Sequence, residues 1–246
     1  MSKLYSNIKP EINIYKKMST KSSLVTQMIF GESFKILKKN STWLKIKVKE
    51  DNYIGYIKNK YYISYFKPTH KVSALYANLY KNSSPKIKIG KLTFGSKIKI
   101  TEKNNKFSKF ENKWIKNKNI KSMKFINKNI FSSIKLFKNV KYKWGGKSYK
   151  GLDCSALIQV FINFNNQFCP RDTKDQVRYF KKNISLKDIK KDDIIYWRGH
   201  VAVALSKKKL IHAYGPMKKT IIMDIKKTIK LIRETANLKV IFIKRI

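Results

Sequence analysis

The chain has 246 residues and a formal charge of +43, from 57 lysines and arginines against 14 aspartates and glutamates. No run approaches the roughly 18 consecutive apolar residues of a spanning helix, the opening MSKLYSNIKPEINIYKK lacks the apolar centre of a secretory signal, and two cysteines exclude a disulfide scaffold. A cytoplasmic, reducing setting is therefore expected, since pairing Cys154 with Cys169 would consume a thiol that the second half of the chain needs.

The first half repeats itself. Val25, Met28, Phe30, Gly31, Phe34, Ile36 and Trp43 correspond to Ile89, Leu92, Phe94, Gly95, Ile98, Ile100 and Phe107, all at one offset, and Asn13-Ile-Tyr-Lys resembles Asn78-Leu-Tyr-Lys. Each copy consists of short alternating segments such as FKILKK and WLKIKV between polar or glycine turns, without a sustained helical period, which predicts two small antiparallel β-barrels. The pattern resembles tandem bacterial SH3-like domains, with GYI (55–57) and KWI (113–115) where such domains have their last core strand. The predicted division is residues 1–67, 68–121 and 122–246, with a linker near 67–72 and a connector over 121–139.

In the second half, Leu157, Val160, Phe161 and Phe164 recur at helical spacing after Cys154, placing that thiol in the first turn of a helix. Free N–H groups and the helix dipole there are expected to favour thiolate, the reactive form. Gly145, Gly146 and Gly151 supply a loop whose backbone can approach a ligand. Downstream, GHVAVAL and LIHAYG alternate as strands around the polar turn 206–209. His200 and His212 share a face only if the turn has three residues or a bulge intervenes, because a one-residue slip reverses the faces. With Leu205 opposite Lys209, His212 would lie across from Ala202 and diagonal to His200. Cys154, His200 and His212 then form a nucleophile, a base and an orienter. A metal site is disfavoured, because neither CxxC nor HExxH spacing is present.

The pieces YKWGG, GLDCSALIQ, CPRDT, DDIIYWRGHVAVAL and LIHAYGP, in that order, resemble the catalytic domain of NlpC-type cell-wall cysteine peptidases. The resemblance implies an α+β protein: a papain-like catalytic domain preceded by two small all-β SH3-like barrels. It implies that Cys154 attacks the scissile carbonyl, His200 carries the proton and His212 orients His200. Tyr142 matches a tyrosine that lines the site and helps at the oxyanion. Asp153 and Ser155 match a pair that captures the free amino end of a stem peptide, although both residue types also cap helices well. Because asparagine also caps, Asp153→Asn is expected to leave stability within about 1 kcal/mol while weakening hydrolysis of peptides with a free amino end. Thr173 stands where the family usually has serine. Ala156 and Asp192 depart from the usual glycines, with expected effects on local space and turn geometry alone.

The implied activity is hydrolysis of peptidoglycan stem peptides at the bond between γ-D-glutamate and the diamino acid, in muropeptides with a free N-terminal L-alanine, with no cofactor or metal. The alternatives are an amidase or acyltransferase on the same fold, or a non-catalytic basic protein binding wall polymer or nucleic acid. The basic residues are almost all lysine, spread evenly, and arginine-led base-reading motifs are missing. Non-specific attraction to anionic polymers at low salt is what the charge predicts.

Overall fold

The computed structural model describes residues 3–246. Two compact units divide the chain. The first comprises residues up to 126 together with 147–149, and the second comprises 127–146 and 150–246.

The first unit is all-β apart from one 3-10 turn, Asn117–Asn119. In the first copy of the repeat, a seven-stranded sheet runs in the order 24–29, 11–15, 54–58, 43–48, 33–39, 4–6, 63–64. Its alternation buries Ile14, Met28, Phe34, Leu44, Ile46, Val48 and Ile57 in one core. The second copy gives a five-stranded sheet, 88–93, 76–80, 113–116, 107–110 and 102–103, and a three-stranded one, 97–98, 70–72 and 120–122. Part of the expected linker is thus a strand, His70–Val72, whose Val72 enters the second core. The sequence period missed it because the segment is short and its Lys71 is buried.

The repeat is carried by local chemistry as well as by apolar positions. Asn40 accepts the N–H groups of Thr42 (2.9 Å) and Trp43 (2.6 Å). Asn104 accepts those of Lys106 (3.0 Å) and Phe107 (2.7 Å) in the same way. These are side-chain mimics of a turn, the reason asparagine suits such corners. Gly31 and Gly95 both have φ of +80°, but only at Gly31 would a Cβ meet a backbone oxygen, that of Lys97, at 2.0 Å. Residues 147–149 belong to this unit through chemistry of their own. Lys147 Nζ lies 2.6 Å from Glu32 Oε1 with both side chains almost fully buried, and its N–H donates to Gln27 Oε1 at 2.9 Å. Removing either partner of such a pair costs about 3–5 kcal/mol, because a buried charge is left alone.

The second unit packs α1 (Cys154–Phe164) against an antiparallel sheet in the order 219–224, 209–214, 200–204, 194–197, 240–244. All but one of the eleven α1 residues are buried, so the helix is central rather than amphipathic. Phe161 stacks edge-on with Phe137 at 5.4 Å and Phe131 at 6.2 Å. Truncating it to alanine would cost about 3–5 kcal/mol. By contrast, α3 (Ile225–Ala236) buries only Ile225, Thr228 and Ile232, one stripe at helical spacing, and stops at Asn237 in a left-handed conformation. The short α2 (Thr173–Tyr179) lies between these elements in sequence.

Candidate active site

The hairpin that carries both histidines has the register expected from alternation. Val203 pairs with Ile211 and Ala204 with Leu210, which sets Leu205 opposite Lys209 and leaves a three-residue turn. The Ser206 hydroxyl accepts the N–H groups of Lys208 and Lys209, each at 3.1 Å, and Leu205 donates to the Lys209 carbonyl at 2.8 Å. His212 therefore falls diagonal to His200. His200 Nε2 lies 2.9 Å from His212 Nδ1, and Tyr214 stacks on the His212 ring at 4.7 Å. His212 is fully buried, whereas His200 is partly exposed.

Cys154 opens α1, with its sulfur 4.0 Å from the Gly199 carbonyl oxygen and receiving the N–H of Val201. The thiol is bracketed by the peptide groups on either side of His200. That placement depends on the two-residue turn Arg198–Gly199, which joins strands 194–197 and 200–204 and holds Gly199 at φ +75°. Beta turns of this kind favour glycine where φ is positive.

The electrostatics differ from the expected thiolate. Burial pushes the Cys154 thiol from 9.0 up to about 12, and the Asp153 charge adds to the rise. The Val201 N–H, the Arg171 charge and the Ser155 N–H pull the other way without winning. Burial pushes His200 down to about 4, and burial followed by the His200 charge pushes His212 down to about 3. At neutral pH the thiol and both imidazoles rest uncharged. A helix terminus lowers a thiol pKa only while the ion stays solvated enough to exist, and desolvation is the larger effect here.

Asp153 caps α1: its Oδ1 accepts the Ala156 N–H at 2.9 Å. It also binds Arg171, whose two terminal nitrogens reach Oδ1 at 2.9 Å and Oδ2 at 2.6 Å. Gly145 N–H and the Ser155 hydroxyl complete five donations to this carboxylate. Arg171 further donates to Ser155 Oγ at 2.7 Å and is buried with it. Nothing in the CPRDT motif itself marks Arg171 for this role. The signal lies in composition: an arginine, a minority residue type in a chain whose basic residues are mostly lysine, at a place where a planar fork suits a carboxylate and an ammonium does not. Gln176 of α2 ties down the Ser155 carbonyl at 3.0 Å. Thr173, two residues beyond Arg171, is the first residue of α2 and is largely buried. Ala156 has no solvent exposure, and Asp192 takes the left-handed φ of +73° that the commoner glycine would adopt freely.

Tyr142 is placed by the turn that precedes the edge strand: its N–H donates to the Lys218 carbonyl at 2.8 Å, and a Cβ at Gly215 would stand 3.6 Å from its ring. Burial raises its phenol above the ordinary value, with smaller contributions from Cys154 and Asp153, so it stays a hydroxyl donor. Gly146 passes so close to Gly151 that a Cβ would sit 2.4 Å from the Gly151 oxygen, which explains the small residues in the loop before Cys154. Among the described residues, no group of three His, Cys, Asp or Glu side chains is arranged to hold a metal, and no helix is long and apolar enough to cross a membrane.

Residues 139–233, which hold this whole arrangement, match the model of the NlpC/P60 family. The chain carries an NlpC/P60 domain. Residues 14–60 match the bacterial dipeptidyl-peptidase Sh3 domain, so the resemblance of the first half holds for the first copy of the repeat. Gamma-D-glutamyl-L-lysine dipeptidyl-peptidase of Bacillus subtilis is 25% identical over 239 residues, covering 86% of this chain and 79% of that protein. Dipeptidyl-peptidase 6 of Lysinibacillus sphaericus is 35% identical over 72 residues, 29% of this chain and 27% of that protein. The crystal structure of an NlpC/P60 family protein from Bacillus cereus superposes with a TM-score of 0.82 at 16% identity, over 98% of this chain and 99% of that one. The shared fold is a papain-like domain following an all-β SH3-like region.

Proposed function

We propose that this protein is a cysteine peptidase that hydrolyses the bond between γ-D-glutamate and the diamino acid of peptidoglycan stem peptides. The observation that carries the reading is the sulfur of Cys154 held between the Gly199 carbonyl and the Val201 N–H, while His200 between them is hydrogen-bonded to His212 at 2.9 Å. The start of one helix and a single hairpin supply these three side chains, and their types are those that covalent acyl transfer uses as nucleophile, base and orienter. The choice of bond is supported by the name of the Bacillus subtilis relative, a γ-D-glutamyl-L-lysine dipeptidyl-peptidase.

Because thiol and imidazole rest neutral, the Cys154 proton passes to His200 as sulfur attacks the γ-carbonyl carbon. The tetrahedral oxyanion takes a hydrogen bond from Tyr142, whose phenol is held protonated. Collapse breaks the C–N bond, His200 returns the proton to the leaving amine, and a thioester to Cys154 remains. Water, deprotonated by His200, then hydrolyses the thioester and restores the thiol. Asp153 and Ser155 receive the substrate's terminal ammonium. The Ser155 hydroxyl is the one donor to Asp153 that can rotate away, so the ammonium takes its place while Arg171 holds the carboxylate still. Thr173 contributes a hydroxyl to the same wall.

Incubating purified protein with defined muropeptides and identifying products by mass spectrometry tests the reading. Release of L-Ala-γ-D-Glu is expected from free-amine substrates, with none from Cys154→Ala. Products of amide cleavage elsewhere, or undiminished cleavage by the alanine variant, would overturn it.

A further inference from the structure

His212 is buried completely, so each of its ring nitrogens needs a partner inside the protein. Nδ1 meets His200 Nε2 at 2.9 Å, and Nε2 meets the thioether sulfur of Met223 at 3.4 Å. Met223 comes from the strand Lys219–Asp224, where it pairs with Leu210, diagonal to His212. A thioether has lone pairs and no proton, so it can only accept. A neutral imidazole carries one N–H. Were that proton on Nδ1 of His212, the Nε2 lone pair would point at a sulfur lone pair.

We propose that Met223 is a positioning residue that sets the tautomer of both histidines and thereby leaves Nδ1 of His200 as the base. The chain of donors runs one way. His212 donates from Nε2 to sulfur, which makes its Nδ1 an acceptor. His200 must then donate from Nε2, and its Nδ1 keeps the lone pair that takes the Cys154 proton. The opposite order puts the proton of His200 on Nδ1, where the ring cannot serve as a base without first losing it. Burial holds both rings neutral in the resting protein, so a single proton position on each decides the matter. The inference rests on the peptidase reading for its consequence, whereas the tautomers belong to the resting protein.

The test is nitrogen NMR of the histidine rings at neutral pH, in a chain with only three histidines. Both His200 and His212 are expected as Nε2–H tautomers in the native protein. In Met223→Leu, which keeps the volume and removes the acceptor, His212 is expected to gain Nδ1–H population. The kcat should fall about fivefold, the worth of one ordinary hydrogen bond, with KM and melting temperature unchanged. An Nδ1–H tautomer at His212 in the native protein would overturn the proposal, as would a leucine variant with native tautomers and native kcat. A native protein that shows the expected tautomers and keeps its activity after Cys154→Ala would support the proton order and overturn the peptidase reading instead.

Discussion

Arg171 holds both oxygens of Asp153, at 2.9 and 2.6 Å, inside the wall from which the Cys154 helix starts. Asp153 is therefore at once a helix cap and half of a buried ion pair, and the second role outweighs the first. A cap is worth about 1 kcal/mol, whereas leaving a buried guanidinium without its carboxylate costs about 3–5 kcal/mol.

Asp153→Asn is accordingly expected to destabilise the protein by about 3 kcal/mol or more, not by the small loss that capping alone implies. Its amide can still cap the helix, yet it must turn an NH2 group toward donors from Arg171 or Gly145. The double variant Asp153→Asn/Arg171→Met should lose less than the sum of the single changes, because the stranded charge is gone. Urea unfolding measures both. A single-variant loss within about 1 kcal/mol would mean that the ion pair contributes nothing beyond the cap.

Alkylation separates the two cysteines and tests the resting state of the nucleophile. With its thiol raised to about 12, Cys154 should react with iodoacetamide more slowly at pH 7.5 than a free cysteine, and its rate should climb with pH through 10. Cys169 has no solvent exposure and should stay unlabelled until the protein unfolds. Mass spectrometry of tryptic peptides reads both. Complete labelling of Cys154 within minutes at neutral pH would show a preformed thiolate and overturn the neutral pair.

Elements fixed by period and local turn chemistry were legible in the sequence. The hairpin register followed from strict alternation on both sides of a short polar turn, because one slip would have put His212 on the wrong face. The repeat was legible from spacing, and the left-handed φ at Gly31 and Gly95 is why glycine recurs there. Features that depend on three-dimensional burial were not. The direction of the thiol shift, the grip of Arg171 on Asp153 and the Met223 contact all join segments whose separation in sequence says nothing about their contact. The strand His70–Val72 was hidden for a related reason: a buried lysine breaks the apolar pattern that would have marked it.

The two histidines make stability depend on acid in a direction that follows from their shifts. Both values are depressed in the folded protein, to about 4 for His200 and about 3 for His212, against 6.5 for an exposed ring. Below pH 6.5 the unfolded chain binds protons that the native rings refuse, so stability is full above that value and falls as pH drops toward 4 and then 3. Glu32, Asp172 and Asp192 are shifted upward by burial and act oppositely at low pH, so the total slope is a balance. A difference measurement isolates the histidine. His212→Asn keeps a polar partner for His200 and removes one titrating group, which should flatten the fall between pH 6 and 4 by up to about 1.4 kcal/mol per pH unit. Urea unfolding of native and variant protein at intervals between those values gives the two slopes. Parallel slopes would mean that His212 is protonated in the folded protein, and its neutral place in the proton chain would fall with that result.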